Sequence, residues 1–190
     1  DKARFEVCAH KWAAISDGSY GMSLINDCKY GHSAEGSTLK LTLLKCATDP
    51  NPEADKGVHT FRYSLVPHSG SFKQAHTARV AQLFNQPLLT KPVPQQTGAL
   101  PESYSLVSCS NENVMIETVK KAEDSDAVIV RLYEYFDCRT EAELTFGANV
   151  REVYLCDMLE NEQQALTVAD NRVKLSLSNF EIITLKIKMD

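Results

Sequence analysis

The residues of this chain predict an all-β protein of antiparallel β-sandwich architecture. Two features carry that reading. Apolar residues recur with period two rather than 3.6, as in Leu39-Lys40-Leu41-Thr42-Leu43, Phe61-Arg62-Tyr63-Ser64-Leu65 and Val173-Lys174-Leu175-Ser176-Leu177. That alternation belongs to strands with one buried and one wet face. The runs are also short, and Asn, Asp and Gly clusters separate them, as in sandwiches assembled from hairpins.

In chain order, strands are expected over residues 3–9, 21–25, 39–43 and 61–65, then over 104–109, 114–119, 128–135, 142–146, 152–156, 173–177 and 181–188. One helix interrupts them near residues 72–84. Ser71 would cap it, Phe72, Ala75, Arg79 or Val80, and Leu83 recur on one face, and Asn85-Gln86-Pro87 stops it. Trp12 lies in a further strand-like stretch, where burial is expected. The segment 88–102, LLTKPVPQQTGALPE, holds with Pro87 four of the seven prolines and has little periodicity. It reads as a semi-rigid connector. The expected organisation is therefore an incomplete β unit with one helix over 1–95, a linker at 96–102, and a compact β unit of seven or eight strands over 103–190. The chain starts inside a strand-like run, which suggests a piece of a longer protein.

Composition excludes several classes. The 190 residues are 43% hydrophobic and 24% charged, with a net charge of −5 and both signs interspersed. Neither a nucleic acid nor an anionic membrane surface is an expected partner, and no apolar run is long enough for a membrane-spanning helix. The six cysteines include no CxxC pair, and no Asn is followed two residues on by Ser or Thr. Both features point to the cytoplasm.

Self-contained catalytic chemistry is not legible. The five histidines form no ligand pairing, and there is no HExxH, GxSxG, phosphate loop or dinucleotide fingerprint. No catalytic residue, metal ligand or cofactor site is expected within these residues. Most carboxylates sit in turns: Asp49, Glu53 and Asp55 beside prolines, Glu123, Asp124 and Asp126 in KAEDSD, and Asp170-Asn171 at a hairpin. Asp157 and Glu160, in LCDMLE, are expected to turn the chain at a strand end. In VIVRLYEY, Arg131 is expected on the opposite face from Val130, Leu132 and Glu134.

The segment NDCKYG is less easily explained. Asn26, Asp27 and Gly31 suit a turn, but Lys29 and Tyr30 are not turn formers. Asp27 would accept hydrogen bonds from adjacent sugar hydroxyls, Lys29 would neutralise or hold it, and Tyr30 offers a flat face with one hydroxyl. Turn and ligand-contact readings both stand on the residues alone.

A resemblance adds to this. SYGMSLINDCKYG, HTFRYSLVPHSGSF, ETVKKAEDSDAVIVRLYE, CDMLE and DNRVKLSLSNFEI resemble the C-terminal part of glycoside hydrolase family 38, in its cytosolic α-mannosidase type. The likeness runs from about residue 5 to 188. It implies retaining α-mannosidases with an N-terminal catalytic domain that carries the nucleophilic Asp and a divalent metal of the zinc or cobalt class. None of those motifs occurs in this chain. It further implies that residues 1–95 end a large β-sandwich, that 103–190 form a terminal β-sandwich, and that the partners are the catalytic domain of the same protein and a mannose-containing oligosaccharide. Asn26, Asp27, Lys29 and Tyr30 then become candidates for the rim of a sugar site. The competing reading is a stand-alone carbohydrate-binding or structural β-sandwich module. Unpaired edges in the incomplete sheet would also allow self-association of the isolated chain.

Overall fold

A computed structural model describes residues 5–99 and 101–190. The chain divides into two compact units, Asp1–Pro92 and Val93–Asp190, and the division falls within the proline-rich segment.

The first unit contains β1 (Val7–Cys8), β2 (Trp12–Ser16), β3 (Tyr20–Asn26), β4 (Gly31–Glu35), β5 (Thr38–Thr42), β6 (Tyr63–Ser69) and α1 (Thr77–Asn85). They form two antiparallel three-stranded sheets, ordered β2-β3-β6 and β1-β4-β5. The β2–β3 hairpin closes on Asp17. Its Oδ1 accepts from the N–H groups of Tyr20 and Ser19 and from the Ser19 hydroxyl. The Tyr20 N–H is the largest of the causes that hold the Asp17 carboxyl down at about 2. Trp12, half-buried, packs its ring 5.2 Å from that of Phe72. Helix α1 lies on β3 and β2, where the buried hydroxyls of Thr77 and Ser23 meet at 2.8 Å. Ser23 Oγ is also 3.0 Å from His68 Nε2. Beside this contact the backbone of Gly21 passes so close that a Cβ would stand 2.4 Å from His68 Cε1 and 2.8 Å from Ser16 Cβ.

The helix is shorter than its sequence pattern. Residues 71–76 make turns, with Ala75 N–H on the Ser71 carbonyl and His76 N–H on that of Lys73. His76 then adopts a left-handed conformation (φ 48°) that breaks continuity, and α1 begins at Thr77 without a side-chain cap. Ser71 does not cap it. Its hydroxyl donates to Gln74 Oε1 instead. The expected strand 3–9 narrows to β1, with residues 3 and 4 outside the described set, and β4 was not foreseen because GHSAE lacks an apolar alternation.

The second unit contains β7 (Val107–Cys109), β8 (Val114–Lys121), β9 (Val128–Glu134), β10 (Thr140–Phe146), β11 (Val150–Cys156), β12 (Glu162–Leu166), β13 (Arg172–Leu177) and β14 (Ile182–Met189). A sheet ordered β13-β10-β7 faces one ordered β12-β11-β14-β9-β8, all antiparallel. One core joins them, with Leu144, Leu175 and Leu177 from the first sheet meeting Leu132, Val153, Leu185 and Ile187 from the second. This is a β-sandwich. Asp170 and Asn171, both with positive φ, make the tight turn into β13, as their residue types require. A register shift between Ile116 and Thr118 bulges β8. Strand β12 was not foreseen, since EQQAL is almost wholly exposed.

Candidate functional site

The NDCKYG loop leaves the buried end of β3 and returns as β4. Asn26 is fully buried. Its Oδ1 accepts from the Lys29 N–H (3.1 Å), which closes the loop, and its carbonyl accepts from the Asn85 side-chain amide at the end of α1 (3.0 Å). Its own N–H donates to the Lys11 carbonyl (2.9 Å). His32, buried at the start of β4, donates from Nδ1 to the Tyr30 carbonyl (3.1 Å), which leaves Nε2 to face the Asn26 amide at 3.5 Å.

Asp27 is held by Arg62. The Asp27 N–H donates to the Arg62 carbonyl (3.2 Å), while Oδ1 accepts the Arg62 N–H (2.9 Å) and Oδ2 the guanidinium Nε (3.1 Å). The Arg62 backbone N–H is the main cause that brings the Asp27 carboxyl down to about 2, against a smaller upward push from burial, with the Cys28 thiol and the guanidinium also lowering it. Arg62, in turn, lies over the Phe84 ring at 5.0 Å.

Lys29 does not pair with Asp27. Its ammonium sits 5.2 Å from the centroid of Phe61. Tyr30 is 40% exposed, and its ring packs against His10 at 4.4 Å with a 54° tilt. The loop thus presents two kinds of residue. Asn26 and Asp27 are spent on internal bonds, whereas Tyr30, backed by His10, and Lys29, backed by Phe61, remain at the surface. Sequence reasoning did not single out His10, Phe61, Arg62 or Asn85. Phe61 and Arg62 lie inside the block HTFRYS, but the 35-residue separation of Arg62 from Asp27 leaves no local signal.

Two buried carboxylates organise the second unit. Glu134 is 1% exposed. Its oxygens accept from the N–H groups of Phe136 (2.6 Å), Phe180 (3.1 Å) and Cys138 (3.3 Å) and from the Asn113 amide (3.1 Å). Burial pushes its carboxyl up, but these donors together outweigh it and the net displacement is downward. Glu160, also buried and at φ 70°, pairs with Lys120 (2.8 Å), accepts the Glu123 N–H (2.9 Å) and lies 3.7 Å from Arg131. The Lys120 ammonium leads the causes that lower its carboxyl. Asp157 does turn the chain, since its carboxylate takes the N–H groups of Leu159 and Asn161.

Among the described residues no three His, Cys, Asp or Glu side chains converge to hold a metal. The described residues therefore offer no cradle for the divalent metal that the resemblance implies. No helix of the described residues is long and apolar enough to cross a membrane.

The antiparallel sheets of the two units define an all-β region. Residues 113–185 match the model of the glycosyl hydrolases family 38 C-terminal beta sandwich domain, and residues 1–53 match that of the family 38 C-terminal domain. The chain belongs to the C-terminal region of glycoside hydrolase family 38. It is 43% identical to the alpha-mannosidase 2C1 of Homo sapiens over 97% of its length, and 33% identical to alpha-mannosidase G of Dictyostelium discoideum over 98%. The chain spans only 18% of each of those proteins. An alpha-mannosidase structure from Enterococcus faecalis V583 superposes with a TM-score of 0.76 at 20% identity, over 96% of this chain and 21% of that one, and shares the fold.

Proposed function

We propose that this chain is the non-catalytic C-terminal region of a retaining α-mannosidase, which releases terminal α-mannosyl residues from oligosaccharides in the cytoplasm. The observation that carries the reading is the 43% identity, along 97% of the chain, to a protein named alpha-mannosidase. An N-terminal domain outside these residues supplies the nucleophile and the divalent metal. Residues 1–95 complete a large sandwich, 96–102 link, and 103–190 form the terminal sandwich, in a region that packs on the catalytic domain. The cytoplasmic assignment rests on the cytosolic-type resemblance, and six free thiols are consistent with a reducing compartment.

Within this reading the 26–30 loop lies on the rim of the sugar site. Asn26 and Asp27 shape the loop through their bonds to Lys29, Asn85 and Arg62. Tyr30 and Lys29 face the substrate, the ring against a sugar's C–H face and the ammonium toward its hydroxyls. The test uses the longer protein that contains this chain and compares Tyr30→Ala with wild type for kcat/KM on an α-mannoside and for thermal midpoint. A loss of about tenfold, or roughly 1.4 kcal/mol of transition-state binding, with an unchanged midpoint is expected. An unchanged kcat/KM would remove the loop from the sugar site.

A further inference from the structure

A cavity opens in the first unit between the end of the β2–β3 hairpin and the turn that joins β4 to β5. Its volume is about 370 Å³, and its lining includes Ile15, Asp17, Tyr20 and Met22 from the hairpin and Gly36 and Ser37 from the turn. Ile15 stands opposite Met22 in the hairpin ladder, and Tyr20 shares a face of β3 with Met22 because strand side chains alternate. An apolar floor thus adjoins an aromatic ring.

Two groups at this cavity are held in place yet have bonding capacity to spare. Asp17 Oδ1 accepts from the Ser19 N–H (2.8 Å), the Ser19 hydroxyl (2.8 Å) and the Tyr20 N–H (2.9 Å), whereas Oδ2 has no hydrogen-bond partner among the described residues. The same donors, the Tyr20 N–H foremost, hold the carboxyl down at about 2, so the group is an ionised acceptor at neutral pH. Tyr20 is 57% exposed. Its hydroxyl has no hydrogen bond, and its ring no aromatic or cationic neighbour, among the described residues.

Such a set matches a sugar. A pyranose has a C–H face that packs on a tyrosine ring, and hydroxyls at its edge that donate to a carboxylate. Ser37 adds a hydroxyl that both donates and accepts, as sugar hydroxyls do. An organic cation would share the ring. A guanidinium, however, takes a carboxylate through both oxygens, and here only one is open. Small-molecule sites run from roughly 300 to 1,000 Å³, so a cavity near the lower end suits one hexose unit.

We propose that this cavity is a second carbohydrate site, which holds one mannose unit of an oligosaccharide with Tyr20 on its C–H face and Asp17 Oδ2 on its hydroxyls. The choice of mannose rests on the reading of this chain as part of an α-mannosidase. Tyr20 and Asn26 are the two ends of β3, and a strand of that length spans roughly 20 Å. The cavity and the 26–30 loop are therefore separate places.

A photoreactive probe tests this in the longer protein that contains the chain. An α-thiomannoside with a diazirine on its aglycone resists hydrolysis and labels what it touches, and peptide mapping shows where. Label is expected within residues 15–22 and 36–37, and excess methyl α-mannoside should remove it. Asp17→Asn keeps an oxygen for the turn, and Tyr20→Ala removes an exposed side chain. Both should leave the thermal midpoint unchanged, and each should lower this label about tenfold, the scale of one lost charge-assisted hydrogen bond for the first. No label in these residues overturns the proposal, as does label that excess methyl α-mannoside leaves in place. Label displaced by butylammonium chloride but not by the mannoside also overturns it, and makes the cavity a cation site. If Tyr20→Ala lowers the midpoint, Asp17→Asn decides, and undiminished label there overturns the proposal. Hydrolysis of an α-mannoside by the longer wild-type protein reports separately on the underlying reading, so the two fail independently.

Discussion

Asp27 and Glu134 are both carboxylates that join segments far apart in sequence, but they differ in setting. Asp27 is pinned near the surface by one residue, Arg62, whereas Glu134 is enclosed and gathers N–H groups from the 136–138 turn and from Phe180. An enclosed charge stands only because its donors replace water. Glu134→Gln places an amide N–H₂ among backbone donors and should cost about 2 kcal/mol of unit stability. The acid dependence follows from the direction of the Glu134 displacement. The folded-state carboxyl titrates below its ordinary value of 4.5, so its contribution is complete above that pH and is lost as pH falls through the lowered folded value. Thermal midpoints from pH 7 down to pH 3 should therefore fall more steeply for wild type than for Glu134→Gln, and parallel curves would contradict this. Neither carboxylate's role was visible in the residues alone. Glu134 read as an inward member of a strand, and Asp27 read as a turn residue or a ligand group with Lys29 for a partner. The partner is Arg62, 35 residues on, and periodicity does not reach that far.

At the scale of the element, the strong strands were legible and the weak ones were not. Strands β5, β8, β9, β10, β11, β13 and β14 follow their apolar alternation to within two or three residues of the expected bounds. Strands β4 and β12 carry small and polar residues and are strands because neighbours pair with them, β1 and β5 on one side and β11 on the other. The helix shows the reverse error. Its pattern extends through Phe72 and Ala75, but the left-handed His76 divides turn from helix, and no feature of local composition announces that conformation. Where the alternation was clean, the core is well filled, and it should be costly to empty. Leu185 on β14 is fully buried between β9 and β11 in the core of the second unit. Leu185→Ala should destabilise that unit by about 2–5 kcal/mol in chemical denaturation. A change under 1 kcal/mol would show that the site collapses around the gap.

For the whole molecule, the division into Asp1–Pro92 and Val93–Asp190 separates two unequal cores. The buried apolar residues of the first unit among those described are Leu24, Ile25, Ala78 and Ala81, while a continuous core spans both sheets of the second. Buried apolar area is the main favourable contribution to folding, and separate units need not melt together. The 190-residue chain should unfold in two steps, the first unit at lower temperature. Calorimetry combined with proteolysis would show this through early cleavage within residues 5–92, and a single coincident transition would refute it.

The closeness of Gly21 to His68 reaches beyond this one chain. The imidazole is held by its Nε2 at Ser23 Oγ, and the Ser16 side chain borders the same space beside Gly21. A methyl group at position 21 would therefore meet both His68 and Ser16, and a smaller residue at 68 alone would still leave it 2.8 Å from Ser16 Cβ. In lineages that diverge from this sequence, positions 16, 21 and 68 are expected to change together, so that an alignment of its descendants would show one joint substitution where a reader of any single column would see unrelated ones.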